Sequence, residues 1–319
     1  MPDYASAARL IRGARTVSVV THLRPDADAV GSACATVAAL RQLGKQAVGL
    51  VGQERPVPAN LLSIPGAGEL LVTDRLPGGE DLIIIVDCGS LDRTGLLAAE
   101  IAQAQDRVLV IDHHASNPGF GLLDLIEETA ESTTTVLDRL FRELGVDIDH
   151  DIAHCLYAGL VTDTGSFRWG RPRMHELAAE LMGHGLDTRQ IAVALIDGPT
   201  VDDLRMMGEI LAGIRVVPAG DHCVALLVAD HTRVVGHSDS AVEGLIDFVR
   251  AIEGTDLGVV FKENRPGRWA VSLRSSVMDV SVLALFLGGG GHVPAAGYTT
   301  SGSAEDVVRE LLGALGSYR

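Results

Sequence analysis

The stretch VLVIDHHASNPG, residues 108–119, joins four aliphatic residues directly to an acid and two histidines. Two other stretches share this plan, since TVSVV at 16–20 leads into THLRPDAD and LIIIV at 82–86 leads into DCGS. Each apolar run is short, β-branched and apolar at both parities, which is typical of strands buried on both faces of a parallel sheet. The Ala- and Leu-rich segments 31–43 and 91–104 predict helices between them. The alternation predicts a doubly wound α/β domain.

The pattern changes in the last third of the chain. Strands are predicted at 222–230, 256–264 and 268–275, with helices near 241–252, at 280–287 and from residue 304. This mixture indicates a smaller mixed α/β domain. A further buried helix at 152–162 and two helices at 187–196 and 201–214 precede it. We therefore predict an N-terminal domain at residues 1–185, a helical linker at 186–215 and a second domain at 216–319.

The composition limits the partners. The 319 residues include 26 Lys and Arg against 42 Asp and Glu, for a net charge of −16, and only 4% are aromatic. Binding of long nucleic acid uses a basic groove with aromatic side chains for stacking, so the sequence argues against it and favours a small anionic partner. Two lysines beside 24 arginines indicate a GC-rich bacterial genome.

The same sequence argues against a membrane or an exported location. No apolar run approaches the length of a membrane span, and the first residues lack the apolar core of a secretory signal. The four cysteines form no CxxC pair, so neither a disulfide framework nor a zinc knuckle is indicated. We expect a cytoplasmic protein with reduced thiols and no membrane partner.

Acids and histidines follow the predicted strands at their carboxyl ends, which meet at the ligand-binding edge of a doubly wound sheet. Each has an ordinary explanation alone, since Asp26 or Asp28 could cap a helix and Asp87 could be a turn residue. Together they form a set of four carboxylates and two imidazoles, whose charge divalent cations would neutralise. Oxygen and imidazole donors without thiolate favour Mn²⁺ or Mg²⁺, with Co²⁺ also able to bind. The candidate metal ligands are His22, Asp26, Asp28, Asp87, His113 and Asp163.

Five motifs resemble a known family. In chain order, THLRPDADAVGS, VDCGS, DHH and TDTGSF are similar to the four motifs of the DHH phosphoesterase superfamily, and GGGGHVPAAG at 288–297 is similar to the signature of the DHHA1 domain. The resemblance covers nearly the whole chain, and the size and layout are similar to the bacterial nanoRNase and pAp phosphatase subgroup. It implies an N-terminal DHH catalytic metal-binding domain, a C-terminal DHHA1 substrate-binding domain and a homodimer.

The resemblance also implies roles for individual residues. One Mn²⁺ would be held by His22 and Asp26 and the other by Asp28, His113 and Asp163, with Asp87 bridging the two. Near the scissile phosphate, His114 would contact the substrate and Asp112 would orient a histidine. The residues implied to bind the other end of the substrate are Arg274, Ser275, Gly289, Gly290, Gly291 and His292.

The predicted function is a two-metal-dependent phosphoesterase of small nucleotides. Its substrates would be 3′-phosphoadenosine 5′-phosphate (pAp), very short RNA and dinucleotides such as pApA, and cyclic dinucleotides. The alternatives are a family II inorganic pyrophosphatase, a RecJ-like exonuclease and a nucleotide-binding sensor without turnover. The scarcity of lysine argues against a pyrophosphatase, and the acidic, aromatic-poor composition argues against an exonuclease. The filled set of ligand positions argues against a sensor without turnover.

Overall fold

The structure is a computed structural model that describes residues 3–196, 198–250 and 252–316. The chain divides into two compact units, Met1–Asp197 and Gly198–Arg319. No helix within the described residues is both long enough and apolar enough to cross a membrane. The division of roles between a metal-binding and a substrate-binding domain remains a prediction.

The first unit is built from short strands and helices in alternation. Its strands are β1 (Thr16–Thr21), β2 (Gln46–Val51), β3 (Leu71–Val72), β4 (Leu82–Val86), β5 (Val108–Asp112) and β6 (Leu123–Ile126). Its α-helices are α1 (Tyr4–Gly13), α2 (Ala27–Gln42), α3 (Ala98–Gln103), α4 (Thr133–Leu144), α5 (His150–Asp163), α6 (Pro172–Met182) and α7 (Thr188–Leu195). Short 3-10 helices at Ala59–Ser63, Ala67–Glu69, Leu91–Leu97 and Gln105–Arg107 complete it.

The sheet of this unit has the strand order β3-β2-β1-β4-β5-β6, and every neighbouring pair is parallel. Side chains of alternating parity enter two separate cores, with Val19 and Ile84 in one and Val20 and Ile85 in the other. Both faces are therefore covered, which confirms the predicted doubly wound α/β fold. The strand order reverses between β1 and β4, so a ligand site is expected where these two strands end.

The sequence prediction differs from the structure in two places in this unit. The strands β2, β3 and β6 were not predicted, because they are short or only partly buried and lack a continuous apolar run. The predicted helix at 91–104 is a 3-10 helix followed by α3. Gly95 has a φ of +64°, and a Cβ there would lie 2.1 Å from the Gly52 carbonyl oxygen, so the helix breaks where the chain approaches β2.

The second unit carries a mixed sheet. Its strands are β7 (Arg215–Ala219), β8 (His222–Ala229), β9 (Leu257–Arg265), β10 (Arg268–Arg274), β11 (Gly290–His292) and β12 (Ala295–Ser301). Its helices are α8 (Val201–Leu211), α9 (His231–Val234), α10 (Asp239–Gly244), α11 (Ile246–Val249), α12 (Val280–Phe286) and α13 (Ala304–Gly316). The order is β11-β12-β10-β9-β8-β7, with only β8 and β9 parallel, which confirms the predicted mixed α/β class.

The structure adds detail to three predicted segments in and before this unit. Residues 241–252, predicted as one helix, contain α10 and α11, and Ala251 lies outside the described residues. Part of the glycine run at 288–292 is the strand β11. Residues 186–215, predicted as a linker, include α7 at the end of the first unit and α8 at the start of the second.

Candidate metal centre and substrate-binding residues

The predicted metal ligands of the first unit lie at the carboxyl ends of β1, β4 and β5 and at the end of α5. His22 follows β1 directly, Asp87 follows β4, His113 follows β5, and Asp163 is the last residue of α5. Asp87 has a φ of +53°, a left-handed conformation that aspartate tolerates better than most residues. Its backbone N–H still donates to the Ile111 carbonyl at 3.0 Å, so this turn is tied to β5.

One half of the cluster contains His22, Asp26 and Asp87. The Nε2 atom of His22 is 3.8 Å from Asp26 Oδ2 and 3.6 Å from Asp87 Oδ2. His22 Nδ1 lies 3.0 Å from the Leu23 carbonyl oxygen, which can accept a hydrogen bond from a proton on Nδ1. The other ring nitrogen, Nε2, then faces the carboxylates with its lone pair. Asp26 Oδ1 accepts from the Ala29 N–H at 3.0 Å, so this side chain caps α2 and faces His22 at the same time.

The other half contains Asp28, His113 and Asp163 around the second oxygen of Asp87. His113 Nε2 is 3.2 Å from Asp163 Oδ2, 3.8 Å from Asp87 Oδ1 and 3.9 Å from Asp28 Oδ2. The two oxygens of Asp87 thus face two different histidines, Oδ2 towards His22 and Oδ1 towards His113. One ligand atom from each of Asp28, Asp87 and His113 lies within 4.8 Å of the others, and the same holds for His22, Asp26 and Asp87.

His114 and Asp112 form a separate pair beside this cluster. His114 Nδ1 is 2.8 Å from Asp112 Oδ1, and the Asn117 amide donates to Asp112 Oδ2 at 2.6 Å. The Asn117 amide also donates to the Cys88 carbonyl at 3.1 Å. Asp112 is fully buried, and both of its oxygens accept hydrogen bonds. Asp112 is therefore placed to orient His114 through Nδ1, whereas Asn117 was not predicted from the sequence.

The start of α4 supplies further contacts that the sequence analysis missed. The backbone N–H groups of Thr133 and Thr134 donate to the two oxygens of Asp28, at 2.7 and 3.1 Å. The Thr133 hydroxyl donates to Asp87 Oδ1 at 2.9 Å. The sequence signal was Ser132 followed by three threonines, since serine is a preferred N-cap and here its side chain accepts from the Thr135 N–H.

The electrostatics of the cluster favour bound positive charge. Burial, with repulsion from Asp163 and Asp87, raises the pKa of Asp28 well above its usual range. Burial lowers the pKa of His113, but the hydrogen bond with Asp163 and the charges of Asp163, Asp28 and Asp87 together outweigh this effect, and the pKa lies well above the usual value. Both shifts show that the clustered carboxylates repel one another and attract positive charge.

The donor set also fits divalent cations. The ligand atoms are carboxylate oxygens and imidazole nitrogens, the set that suits Mn²⁺ and Mg²⁺. Cys88, the thiol beside Asp87, is fully buried and donates to the Ser90 carbonyl at 3.3 Å, and burial raises its pKa. Cys88 is therefore not a candidate thiolate ligand. The first unit contains a group of acidic and histidine side chains that is able to hold metal ions.

The predicted substrate-binding residues lie in the second unit. Arg274 ends β10 opposite Ala295 of β12, and Ala295 lies opposite His292 of β11. Residues directly opposite each other in antiparallel strands project to the same face, so these three line one face of the sheet. Ser272, Gly297 and Gly290 form the next row of that face. The two glycines of this row carry no side chain, and the Ser272 hydroxyl accepts from Lys262 Nζ at 2.8 Å.

Two glycines of the run are required by close packing. A Cβ on Gly289 would lie 2.1 Å from the Gly297 carbonyl oxygen. Gly291 has a φ of +140°, and a Cβ there would lie 2.6 Å from the Ala295 carbonyl oxygen. No side chain fits either position without movement of the backbone of β12.

Ser275 follows Arg274 directly at the end of β10. Its side chain is buried, and its hydroxyl donates to the Asp256 carbonyl at 2.6 Å while accepting from Val277 and Met278 N–H groups. Its own N–H donates to the Pro294 carbonyl at 3.1 Å. These hydrogen bonds stabilise the turn after β10, and the substrate contact of Ser275 stays a prediction.

Comparison with known proteins agrees with these features. Residues 16–160 match the DHH family, N-terminal domain, and residues 231–318 match the DHHA1 domain. The bifunctional oligoribonuclease and PAP phosphatase NrnA of Thermus thermophilus is 31% identical over 290 residues, which cover 90% of this chain and 84% of that protein. This chain belongs to the DHH family. Like its relatives, this DHH protein is a hydrolase of the phosphoesterase class.

Other similarities extend along the whole DHH protein. NrnA of Bacillus subtilis is 25% identical over 288 residues, which cover 88% of each chain. Among solved structures, an exopolyphosphatase-related protein from Bacteroides fragilis has a TM-score of 0.84 at 24% identity and covers 99% of this chain and 96% of its own. RecJ of Thermus thermophilus in complex with Mn²⁺ has a TM-score of 0.52 at 15% identity, covering 99% of this chain and 54% of its own. These two structures share its fold.

Proposed function

We propose that this DHH-family hydrolase uses two divalent cations, Mn²⁺ by preference and Mg²⁺ or Co²⁺ as substitutes, to hydrolyse small nucleotides. Its proposed reactions are removal of a terminal phosphate from pAp and cleavage of the phosphodiester bond in very short RNA and in dinucleotides such as pApA. Cyclic dinucleotides are included as candidate substrates. The names of the two NrnA relatives support this substrate class.

One observation carries the two-cation part of the proposal. The oxygens of Asp87 face His22 at 3.6 Å and His113 at 3.8 Å, so a single carboxylate can serve two positions. In the proposal, His22 and Asp26 complete one position, and Asp28, His113 and Asp163 complete the other. When bound, such ions would polarise a phosphoryl oxygen and lower the pKa of a bound water.

The protein's own residues then bind and orient the phosphate. Asp112 accepts a hydrogen bond from His114 Nδ1, which fixes the orientation of the ring. The other ring nitrogen, Nε2, is then the one that would contact a phosphate oxygen. A hydrogen bond from His114 to that oxygen would strengthen as negative charge grows in the transition state. In the second unit, Arg274, His292 and the backbone of Gly289–Gly291 are proposed to bind the distal phosphate or the nucleoside.

The test is a parallel hydrolysis assay with Mn²⁺ of pAp, pApA, a cyclic dinucleotide, a long RNA and pyrophosphate. We expect turnover of pAp and pApA, with long RNA and pyrophosphate left intact. Turnover of pyrophosphate or long RNA alone would contradict the assigned substrate class. Saturable nucleotide binding without hydrolysis under any metal would contradict catalysis itself and favour a sensor.

A further inference from the structure

The first residue of α4 contacts two of the proposed ligands, which come from distant parts of the chain. The Thr133 N–H donates to Asp28 Oδ2 at 2.7 Å, and its hydroxyl donates to Asp87 Oδ1 at 2.9 Å. Asp28 lies in α2 and Asp87 follows β4, so the two are 59 positions apart in the sequence. Thr133 and Asp28 are fully buried, and Asp87 is 2% exposed.

The two contacts differ in kind. The backbone N–H groups of Thr133 and Thr134 belong to the first turn of a helix, where N–H groups lack intrahelical partners and attract negative charge. Asp28 satisfies both groups, and any side chain at position 133 would keep that contact. The hydroxyl contact with Asp87 depends on the threonine side chain alone.

The Thr133 hydroxyl restrains the orientation of the Asp87 carboxylate. Asp87 Oδ1 accepts from this hydroxyl at 2.9 Å, whereas the facing nitrogens of His22, His113 and His114 stand farther away, at 3.6 to 3.8 Å. An aspartate carboxylate rotates broadly about its last torsion when nothing holds it. Loss of the hydroxyl would therefore let the plane of the carboxylate turn, and its oxygens would no longer be held with Oδ2 towards His22 and Oδ1 towards His113 and His114.

We propose that Thr133 is a positioning residue that holds Asp28 and Asp87 in a fixed relation, so that Asp87 can be shared between two cations. This inference rests on the proposed function. It assigns the residue that presets the shared ligand, since partners that orient metal ligands contribute to affinity without touching the ion. Thr133 itself contacts neither substrate nor, in this proposal, a cation.

The experiment compares Thr133→Val, Thr133→Ser and Thr135→Val with the wild-type chain after removal of metal with a chelator. Valine matches threonine in shape but lacks the hydroxyl, whereas serine retains it. Thr135 is a matched control, because it is buried in the same helix and its hydroxyl contacts only the Ser132 hydroxyl, at 2.9 Å. Mn²⁺ binding is measured by calorimetry, and the spin coupling of adjacent Mn²⁺ ions by electron paramagnetic resonance.

We expect Thr133→Val to weaken Mn²⁺ binding roughly 10- to 100-fold, the usual effect of losing a residue that orients a ligand, and to weaken the coupled signal. Thr133→Ser should restore both, and Thr135→Val should leave both unchanged. Circular dichroism and thermal unfolding in chelator check that each variant is folded. If Thr133→Val does not fold, Thr133→Ser with wild-type binding and Thr133→Ala with weakened binding test the same inference.

Three outcomes overturn the inference while leaving the proposed function intact. The first is a Thr133→Val variant that binds Mn²⁺ as tightly as wild type. The second is a Thr135→Val variant whose Mn²⁺ binding is weakened equally, and the third is a Thr133→Ser variant that fails to restore Mn²⁺ binding. In each case the wild-type protein itself binds two Mn²⁺ ions and hydrolyses pAp. Wild-type protein that binds no Mn²⁺ overturns both. The two proposals are therefore separated by the behaviour of the wild-type chain.

Discussion

The two units present their charged side chains differently. In the first unit, Asp28, Asp87 and Asp112 are buried, and each accepts hydrogen bonds from the protein. In the second unit, Arg274 and His292 lie partly exposed on a strand face lined with small residues. The first arrangement restrains the carboxylates proposed as metal ligands, as a metal site requires. The second leaves a guanidinium and an imidazole partly accessible to a larger molecule. The difference predicts that substitutions in the first unit remove metal, whereas substitutions in the second weaken substrate binding.

The largest expected effect comes from Asp87→Ala, which removes the carboxylate between the two histidines. Both cations should be lost, and turnover of every substrate should fall by about a thousandfold or more, because a catalytic metal contributes several kcal/mol to the transition state. Metal analysis of the purified variant and kcat measurements check this. Asp92→Ala is the control, since Asp92 is an exposed acid nearby in sequence and should keep wild-type metal content and turnover. One retained ion would show that Asp87 serves one position only.

Removal of metal tests the same region through stability. A cation that binds only the folded chain stabilises it by RT ln(1 + [L]/Kd), or about 2.7 kcal/mol at a hundred times Kd. We expect Mn²⁺ to raise the Tm of wild-type protein in a concentration-dependent way and to leave the Tm of Asp87→Ala unchanged. Scanning calorimetry of both proteins, with and without chelator, measures the shift. An equal shift in Asp87→Ala would place the binding site elsewhere.

Arg274→Ala tests the other side of the comparison. Loss of a charge-assisted hydrogen bond to a phosphate costs about 1.5 to 3 kcal/mol, so KM for pAp should rise roughly 10- to 150-fold with kcat changed little. Metal content should stay at the wild-type level. Arg268→Ala, at the exposed opposite end of β10, should leave KM unchanged. Loss of metal in Arg274→Ala would contradict the separation of roles between the two units.

The smallest expected effect concerns Asp203, a buried carboxylate of the second unit. It accepts hydrogen bonds from the protein as the carboxylates of the first unit do, but it lies in neither proposed binding region. Burial raises the pKa of Asp203, but hydrogen bonds from the Thr200 and Ser238 N–H groups and from His237 outweigh it, and the pKa lies well below the usual range. The ionised form therefore stabilises the fold above about pH 4, and this stability is lost as pH falls towards the folded-state pKa.

We expect Asp203→Ala to lower the free energy of unfolding by about 1 to 2 kcal/mol at neutral pH, the usual loss for an N-terminal helix contact, with kcat unchanged. Urea unfolding between about pH 7 and pH 3 should show the difference from wild type shrinking as acid protonates the carboxylate. A constant difference over that range would mean that the ionised form is not what matters. A fall in kcat would join Asp203 to the catalytic machinery.

Local patterns predicted the longer apolar strands, but they predicted neither the short or partly buried strands nor the contacts between distant segments. β1, β4 and β5 were predicted because both of their faces are buried and their residues are uniformly apolar. The two explanations for Asp26, a helix cap and a metal ligand, are compatible, because Oδ1 caps α2 while Oδ2 faces His22, and the ligand role stays a prediction. The contacts of Thr133, Asn117 and Ser275 are hydrogen bonds to groups distant in the sequence, and no spacing rule encodes them.

Helix breaks show the same limit. The segment 91–104 has helical composition, and its 3-10 start follows from the contact between Gly95 and Gly52, a tertiary approach. β3 has only two residues, too few for a periodic signal. The parts of the site that could be predicted are the residues with chemical function. The residues that orient them are ordinary threonines and asparagines, distinguished only by where the fold puts them.

The strand order of the first unit also has a consequence for synthesis of the protein. His22 emerges from the ribosome early, whereas Asp163 is the last residue of α5. Helix α5 packs on α2 at Gly159, where an added Cβ would lie only 2.2 Å from Asp28 Oδ1. A nascent or truncated chain that lacks α5 has neither Asp163 nor the helix that packs beside Asp28. The proposed set of cation ligands is therefore complete only after the chain has passed residue 163.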